Sequence, residues 1–122
     1  MSTQCVVIVG ASDKPDRYAY KAMKSLLKEG HKVLLVHPRL KQIEGLPVLH
    51  DIADISASVD TITLYVGPAI SANMGESLIA LNPGRVIFNP GAENPELEAK
   101  LEEAGIHTLQ ACTLVLLSTK QF

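Results

Sequence analysis

Large aromatic side chains are scarce in this chain: its 122 residues include no tryptophan, two phenylalanines and three tyrosines. A groove that binds single-stranded nucleic acid needs stacking faces, and these are missing. No run of lysine or arginine compensates, and a formal net charge of −2 gives no general attraction for polyanions. Nucleic acid is therefore not the expected partner. Cysteine is equally scarce. Cys5 and Cys112 are too few for a disulfide framework, so free thiols in a reducing compartment are expected. Long apolar runs are also lacking. The run Cys5-Val6-Val7-Ile8-Val9 is too short for a signal or a membrane span, and Met1 to Gln4 carries no positive charge. These absences point to a cytoplasmic protein without a membrane segment.

What is present is aliphatic. Apolar residues make up 47% of the chain, enough for one domain covering residues 1–122. Short Val/Ile/Leu-rich runs alternate with helical periodicities. The expected strands are Cys5–Val9, Lys32–His37, Thr61–Val66, Arg85–Phe88 and His107–Gln110, with a sixth near Leu46–Leu49. Helices are expected over Tyr18–Glu29, Ser71–Leu81 and from Asn94-Pro95 onward, the last with Leu97, Leu101 and Ala104 as its buried stripe. Between Pro38 and Asp60 only a short turn of helix is expected, around Asp51–Ile55. Strand-helix alternation means right-handed crossovers. The expected fold is a single Rossmann-like three-layer α/β domain with a mostly parallel five- to six-stranded sheet.

In such sheets ligands bind beyond the carboxyl ends of the strands. Four segments leave strands there: Gly10–Arg17, His37–Lys41, Gly67–Ser71 and Asn89–Asn94. In the first, Gly10 lets backbone approach a ligand, Ser12 adds a hydroxyl, and the following helix offers unpaired amides to an anion. Glycine is sparse even here. Ala11, Ser12 and Asp13 follow Gly10, so neither G-x-G-x-x-G nor G-x-x-x-x-G-K-[ST] is present. On the loop alone, a tight turn without a ligand stands beside the phosphate cradle.

The second strand narrows the choice. A domain that reads the ribose of NAD places Asp or Glu at its end. This chain has His37-Pro38-Arg39, with Lys41 two residues on. Such a cluster suits a phosphorylated ribose, because guanidinium forks bind phosphate bidentately. NADP and coenzyme A (CoA) both carry one. A solvated basic turn is the plain alternative.

The stretches "VVIVGASDKPDRYAYKAMKSLLKEGHKVLLVHPR", "VDTITLYVGP" and "NPGAENPELEAKLEEAGI", with the late Cys112, form a consistent set. In order and spacing it resembles the small CoA-binding domain proteins, stand-alone relatives of the nucleotide-binding domain of succinyl-CoA synthetase. The resemblance implies a Rossmann-like fold and binding of CoA or an acyl-CoA. It places Gly10, Ala11 and Ser12 at the diphosphate, with Arg17 and Tyr20 at the polar start of the first helix. Pro38 and Arg39 match an Asn-Pro-Lys turn, in which His37 replaces the asparagine. Asn89, Pro90, Gly91 and Ala92 match a Gln-Pro-Gly-Ala-like loop, and Cys112 matches a cysteine after the last main strand. Val66 and Gly67 belong to the same set, although Tyr65-Val66 stand where the family tends to show Phe-Arg. The implied partner is a small nucleotide ligand, together with a homodimer mate or an acyl-CoA-metabolising enzyme.

A catalyst would need a nucleophile beside a base. Cys112 and His37 are the best candidates, without a recognisable third member. His31, which ends the first helix, and His50 and His107 sit singly, without metal-ligand spacing. The reading is therefore a non-catalytic CoA binder. An NADP-binding reductase-like domain is the alternative from the enzyme class. The third reading is an interaction module that keeps the fold without the ligand, which Val66 favours.

Overall fold

A computed structural model of the protein describes residues 3–122. Strand β1, Cys5–Val9, lies at the centre, with β2, Lys32–Val36, on one side and β5, Thr61–Leu64, on the other. Beyond β5 come β6, Arg85–Phe88, and β7, His107–Gln110; beyond β2 come β4, Leu46–Leu49, and β3, Gln42–Ile43. The order is β3-β4-β2-β1-β5-β6-β7, parallel throughout except where β3 runs antiparallel to β4. The sheet thus has seven strands rather than five or six. The additional one is the two-residue β3, whose turn places Glu44 and Gly45 at φ 48° and 83°. Two positive φ values in a two-residue loop match the twist of a hairpin. Ile43, 1% exposed, is the apolar anchor that holds it.

Alternation of side chains along β1 divides the core. Val6 and Ile8 face helix α1, Tyr18–Lys28, and helix α5, Thr113–Ser118, where Met23, Leu26 and Leu117 cover them. Val7 and Val9 face the other layer, with Leu78, Leu97 and Leu101. Burying one such side chain stabilises by roughly 1.5–3 kcal/mol, so the two layers fix the register of every strand.

The helices depart from expectation in three places. The expected Ser71–Leu81 helix is divided into α2, Pro68–Ser71, and α3, Gly75–Leu81. Ser71 is fully buried and accepts from Asn94 Nδ2 at 2.9 Å, while Gly75 lies so close to Lys100 that a Cβ would meet its Nζ at 3.2 Å. The Ser71–Asn94 bond holds α2 to the start of α4, and the missing side chain at Gly75 leaves room for Lys100 against α3. Helix α4, Pro95–Glu103, starts as expected on an Asn94 cap, but Ala104 is exposed rather than buried. Helix α5 was not anticipated, because six residues are too few for periodicity to register. The expected turn near Asp51 is a 3₁₀ turn over Ile52–Asp54.

His31 does not end α1, which stops at Lys28. It lies beyond Gly30, 4% exposed, where Nδ1 accepts the Gln4 N–H at 3.0 Å and the ring tilts against Phe122 at 5.4 Å. Cys5 and Cys112 are free and half-buried. Among the described residues no helix is long and apolar enough to cross a membrane.

Candidate functional site

The chain leaves β1 through Gly10, whose φ of +88° only glycine adopts easily. The reason for glycine is internal. A Cβ there would lie 2.9 Å from Val66 Cγ1 and 3.2 Å from the Tyr65 carbonyl. The amides of Gly10 and Ala11 both donate to the Val36 carbonyl at 3.1 Å, so neither is offered to an anion. Ser12 folds the loop further, its hydroxyl oxygen accepting the Lys14 N–H at 3.1 Å. The available positive pole is the start of α1. Its cap residue, Arg17, makes no side-chain cap bond, and its first turn holds no acid. Uncapped amides and an unopposed dipole favour an anion there.

His37 turns the chain after β2. Its Nδ1 accepts from the N–H groups of both Arg39 and Leu40 at 3.0 Å, which fixes the Nε2–H tautomer. A ring held in this way is a structural cap and does not present Nδ1 as a base.

Two lobes of about 500 Å³ each open at this sheet edge and meet at Gly10, Ala11 and His37. Ser12, Arg17, Pro90, Gly91 and Ala92 line the first lobe, joined by Lys14, Tyr18 and Tyr65. Pro38, Arg39 and Val66 line the second, joined by His50, Asp51 and an apolar wall that includes Ile52, Ile70 and Met74. Sequence reasoning missed Lys14, Tyr18, His50 and Asp51. Only their spacing from strand ends could have marked them.

Four expected site residues lie outside both linings. Tyr20 faces the β3–β4 hairpin and donates its hydroxyl to Glu44, which also pairs with Lys24 at 2.7 Å. Asn89 is 2% exposed; its Nδ2 donates to Thr63 Oγ1 at 2.7 Å and the Leu64 carbonyl at 2.9 Å. Its Oδ1 accepts the Thr113 N–H at 2.9 Å, so Asn89 ties β5, β6 and α5 together. Gly67 is the cap residue of α2, and Cys112 that of α5. No hydrogen bond joins Cys112 to His37 among the described residues.

Tyr65 forms the floor of the first lobe. Its hydroxyl is buried without a hydrogen-bond partner. Burial pushes this phenol upward, against a smaller lowering from the nearby Thr63 and Thr113 hydroxyls. It therefore stays protonated and neutral. No group of three or more His, Cys, Asp or Glu among the described residues is placed to hold a metal ion.

The donor set suits an organic phosphate with two separated anionic groups: Arg17, Lys14 and the α1 start in one lobe, Arg39 in the other. Fold and cleft together define a Rossmann-like domain with its ligand edge at the strand carboxyl ends. Comparison with known proteins makes this specific. Residues 4–118 match the CoA binding domain, and the chain belongs to that family. It is similar to a crystallised uncharacterised protein, with 37% identity, full coverage of both chains and a TM-score of 0.94. The uncharacterised protein YneT of Bacillus subtilis (strain 168) is 21% identical over 82% of this chain and 74% of its own. The fold recurs in a Ca. Korarchaeum cryptofilum dinucleotide-forming acetyl-coenzyme A synthetase solved with phosphate and ADP. The TM-score there is 0.75 at 20% identity, over 88% of this chain and 25% of that one.

Proposed function

We propose that this protein binds CoA or an acyl-CoA across the two lobes and holds it without transforming it. The observation that carries this reading is the separation of cationic sites. Arg39 lines one lobe, Arg17 and the uncapped start of α1 belong to the other, and the lobes meet at Gly10-Ala11. A ribose phosphate against Arg39 and a diphosphate at the helix start would use both, leaving the rest of the first lobe for the uncharged pantetheine arm. The neutral Tyr65 floor suits such an arm better than it suits a second phosphate. The holding role is supported by the occupied Nδ1 of His37 and by the position of Cys112 outside the lobe linings.

Thermal unfolding at matched concentrations of CoA, acetyl-CoA, dephospho-CoA, NADP and NAD tests the reading. A ligand at about a hundred times its dissociation constant adds roughly 2.7 kcal/mol of stability. CoA and acetyl-CoA should give the largest shifts, with no hydrolysis of acetyl-CoA on prolonged incubation. A shift with NADP and none with CoA would replace this reading by the reductase-like one.

A further inference from the structure

Arg39 and Asp51 leave neighbouring parallel strands on the same edge of the sheet. Val36 pairs with Leu49 in the β2–β4 register, and two bonds hold the exits together. The His37 N–H donates to the Leu49 carbonyl at 2.9 Å, and His50 Nε2 meets the Leu40 carbonyl at 3.2 Å. Both Arg39 and Asp51 line the second lobe. Asp51 caps the 3₁₀ turn with one oxygen only: Oδ1 accepts the Ala53 N–H at 2.9 Å. Its Oδ2 has no partner among the described residues.

In dinucleotide-binding sheets, the carboxylate that accepts from a ribose hydroxyl comes from the end of the second strand. Here His37 stands there, committed to its own turn, and the acid comes from the next strand outward. A carboxylate accepts from a free hydroxyl and repels a phosphate; a guanidinium attracts the phosphate. We infer that Arg39 and Asp51 read the two ribose oxygens jointly, Arg39 taking the phosphorylated oxygen and Asp51 the free hydroxyl. This rests on the CoA reading, which assigns the phosphate to the 3′ oxygen. The second lobe then selects 3′-phosphate with 2′-hydroxyl and rejects the 2′-phosphate of NADP.

Calorimetric titration of the full chain with 3′,5′-ADP and 2′,5′-ADP separates the two arrangements. The parent should favour the 3′ isomer by about tenfold or more, the size of one charge-assisted contact. Asp51→Asn keeps an Oδ1 for the Ala53 N–H, so the turn remains capped. Its preference between the isomers should fall by about tenfold, chiefly through tighter 2′,5′-ADP binding. A merely structural Asp51 would leave that ratio unmoved, which would overturn the inference. A parent that binds CoA but treats the isomers alike overturns it as well, with the CoA reading intact. A parent that binds neither CoA nor either bisphosphate overturns both.

Discussion

Gly10 and Val66 touch so closely that a β-carbon on Gly10 would fall 2.9 Å from Val66 Cγ1. The contact joins the loop after β1 to the chain leaving β5, and the Gly10 φ of +88° makes any side chain there strained in addition. In sequence, Gly10 reads as the place where a phosphate approaches. The structure assigns the steric demand to the fold itself. Val66, which looked like a lost basic contact, fills the space that Gly10 leaves.

Gly10→Ala should therefore lower stability by about 1–3 kcal/mol in the absence of any ligand, from the left-handed backbone and the crowding together. Val66→Ala in the same chain should recover part of the loss, because the two sites share one contact. Urea unfolding of the four proteins of this cycle measures the coupling. Additive effects would show that Val66 is not what constrains Gly10.

Asn89 should prove a stability residue. Asn89→Ala removes three buried bonds, to Thr63, Leu64 and Thr113, and leaves the Thr113 N–H unmatched, while Thr63 Oγ1 keeps Thr113 Oγ1 and the Leu64 carbonyl keeps the backbone N–H of position 89. An unsatisfied buried group costs about 1–3 kcal/mol, so a loss of about 2–4 kcal/mol is expected. The urea midpoint should fall with little change in slope. CoA affinity of the remaining folded protein should stay within about threefold, measured well below the midpoint. Direct loss of affinity at full folding would return Asn89 to the site.

A third expectation concerns the hairpin. The Lys24 ammonium, with help from the Tyr20 hydroxyl, holds the Glu44 carboxyl below its ordinary range. A depressed carboxylate contributes stability above its unfolded value, and that contribution is lost as pH falls through the lower folded one. Glu44→Gln should therefore lower Tm at neutral pH by about one to four degrees, since the pair is exposed. On acidification the gap to the parent should close. Glu102, held low by Thr108, stays in both proteins, so the difference isolates Glu44. Tyr20→Phe should likewise reduce Tm slightly and leave CoA affinity unchanged, because Tyr20 faces the hairpin and not the cleft.

These residues show where sequence was legible and where it was not. The turn at Gly10 and the Asn94-Pro95 helix start could be read because strand ends and helix starts carry local signals. Leu97 and Leu101 were readable from period alone. Asn89 and Tyr20 sit in stretches that match a ligand-binding pattern, yet their partners, Thr113 and Glu44, are 24 residues away in each case. Nothing local distinguishes a side chain turned inward from one turned toward a ligand. Asp51 was missed for a related reason: its place beside the second lobe comes from the β2–β4 pairing, and β4 carries only four residues. The β3 strand and α5 are shorter than the window over which periodicity can be counted.

Arg39 provides the most direct test of the binding mode. Neither Gly10 nor Ala11 has an amide to offer, so on the CoA reading phosphate recognition falls to the remaining loop amides, the α1 start and the side chains around the two lobes. Arg39 is the sole guanidinium lining the second lobe, and it is exposed, so removing it should not disturb the core. If it pairs with a 3′-phosphate, Arg39→Ala should weaken CoA by about ten- to a hundredfold, as expected for one charge-assisted bond. Dephospho-CoA, which lacks that phosphate, should bind parent and variant alike. The weakening should also shrink as salt rises, because an exposed ion pair is screened. Equal losses for both ligands would mean that Arg39 shapes the turn around His37, and the ribose phosphate would then have to be held elsewhere.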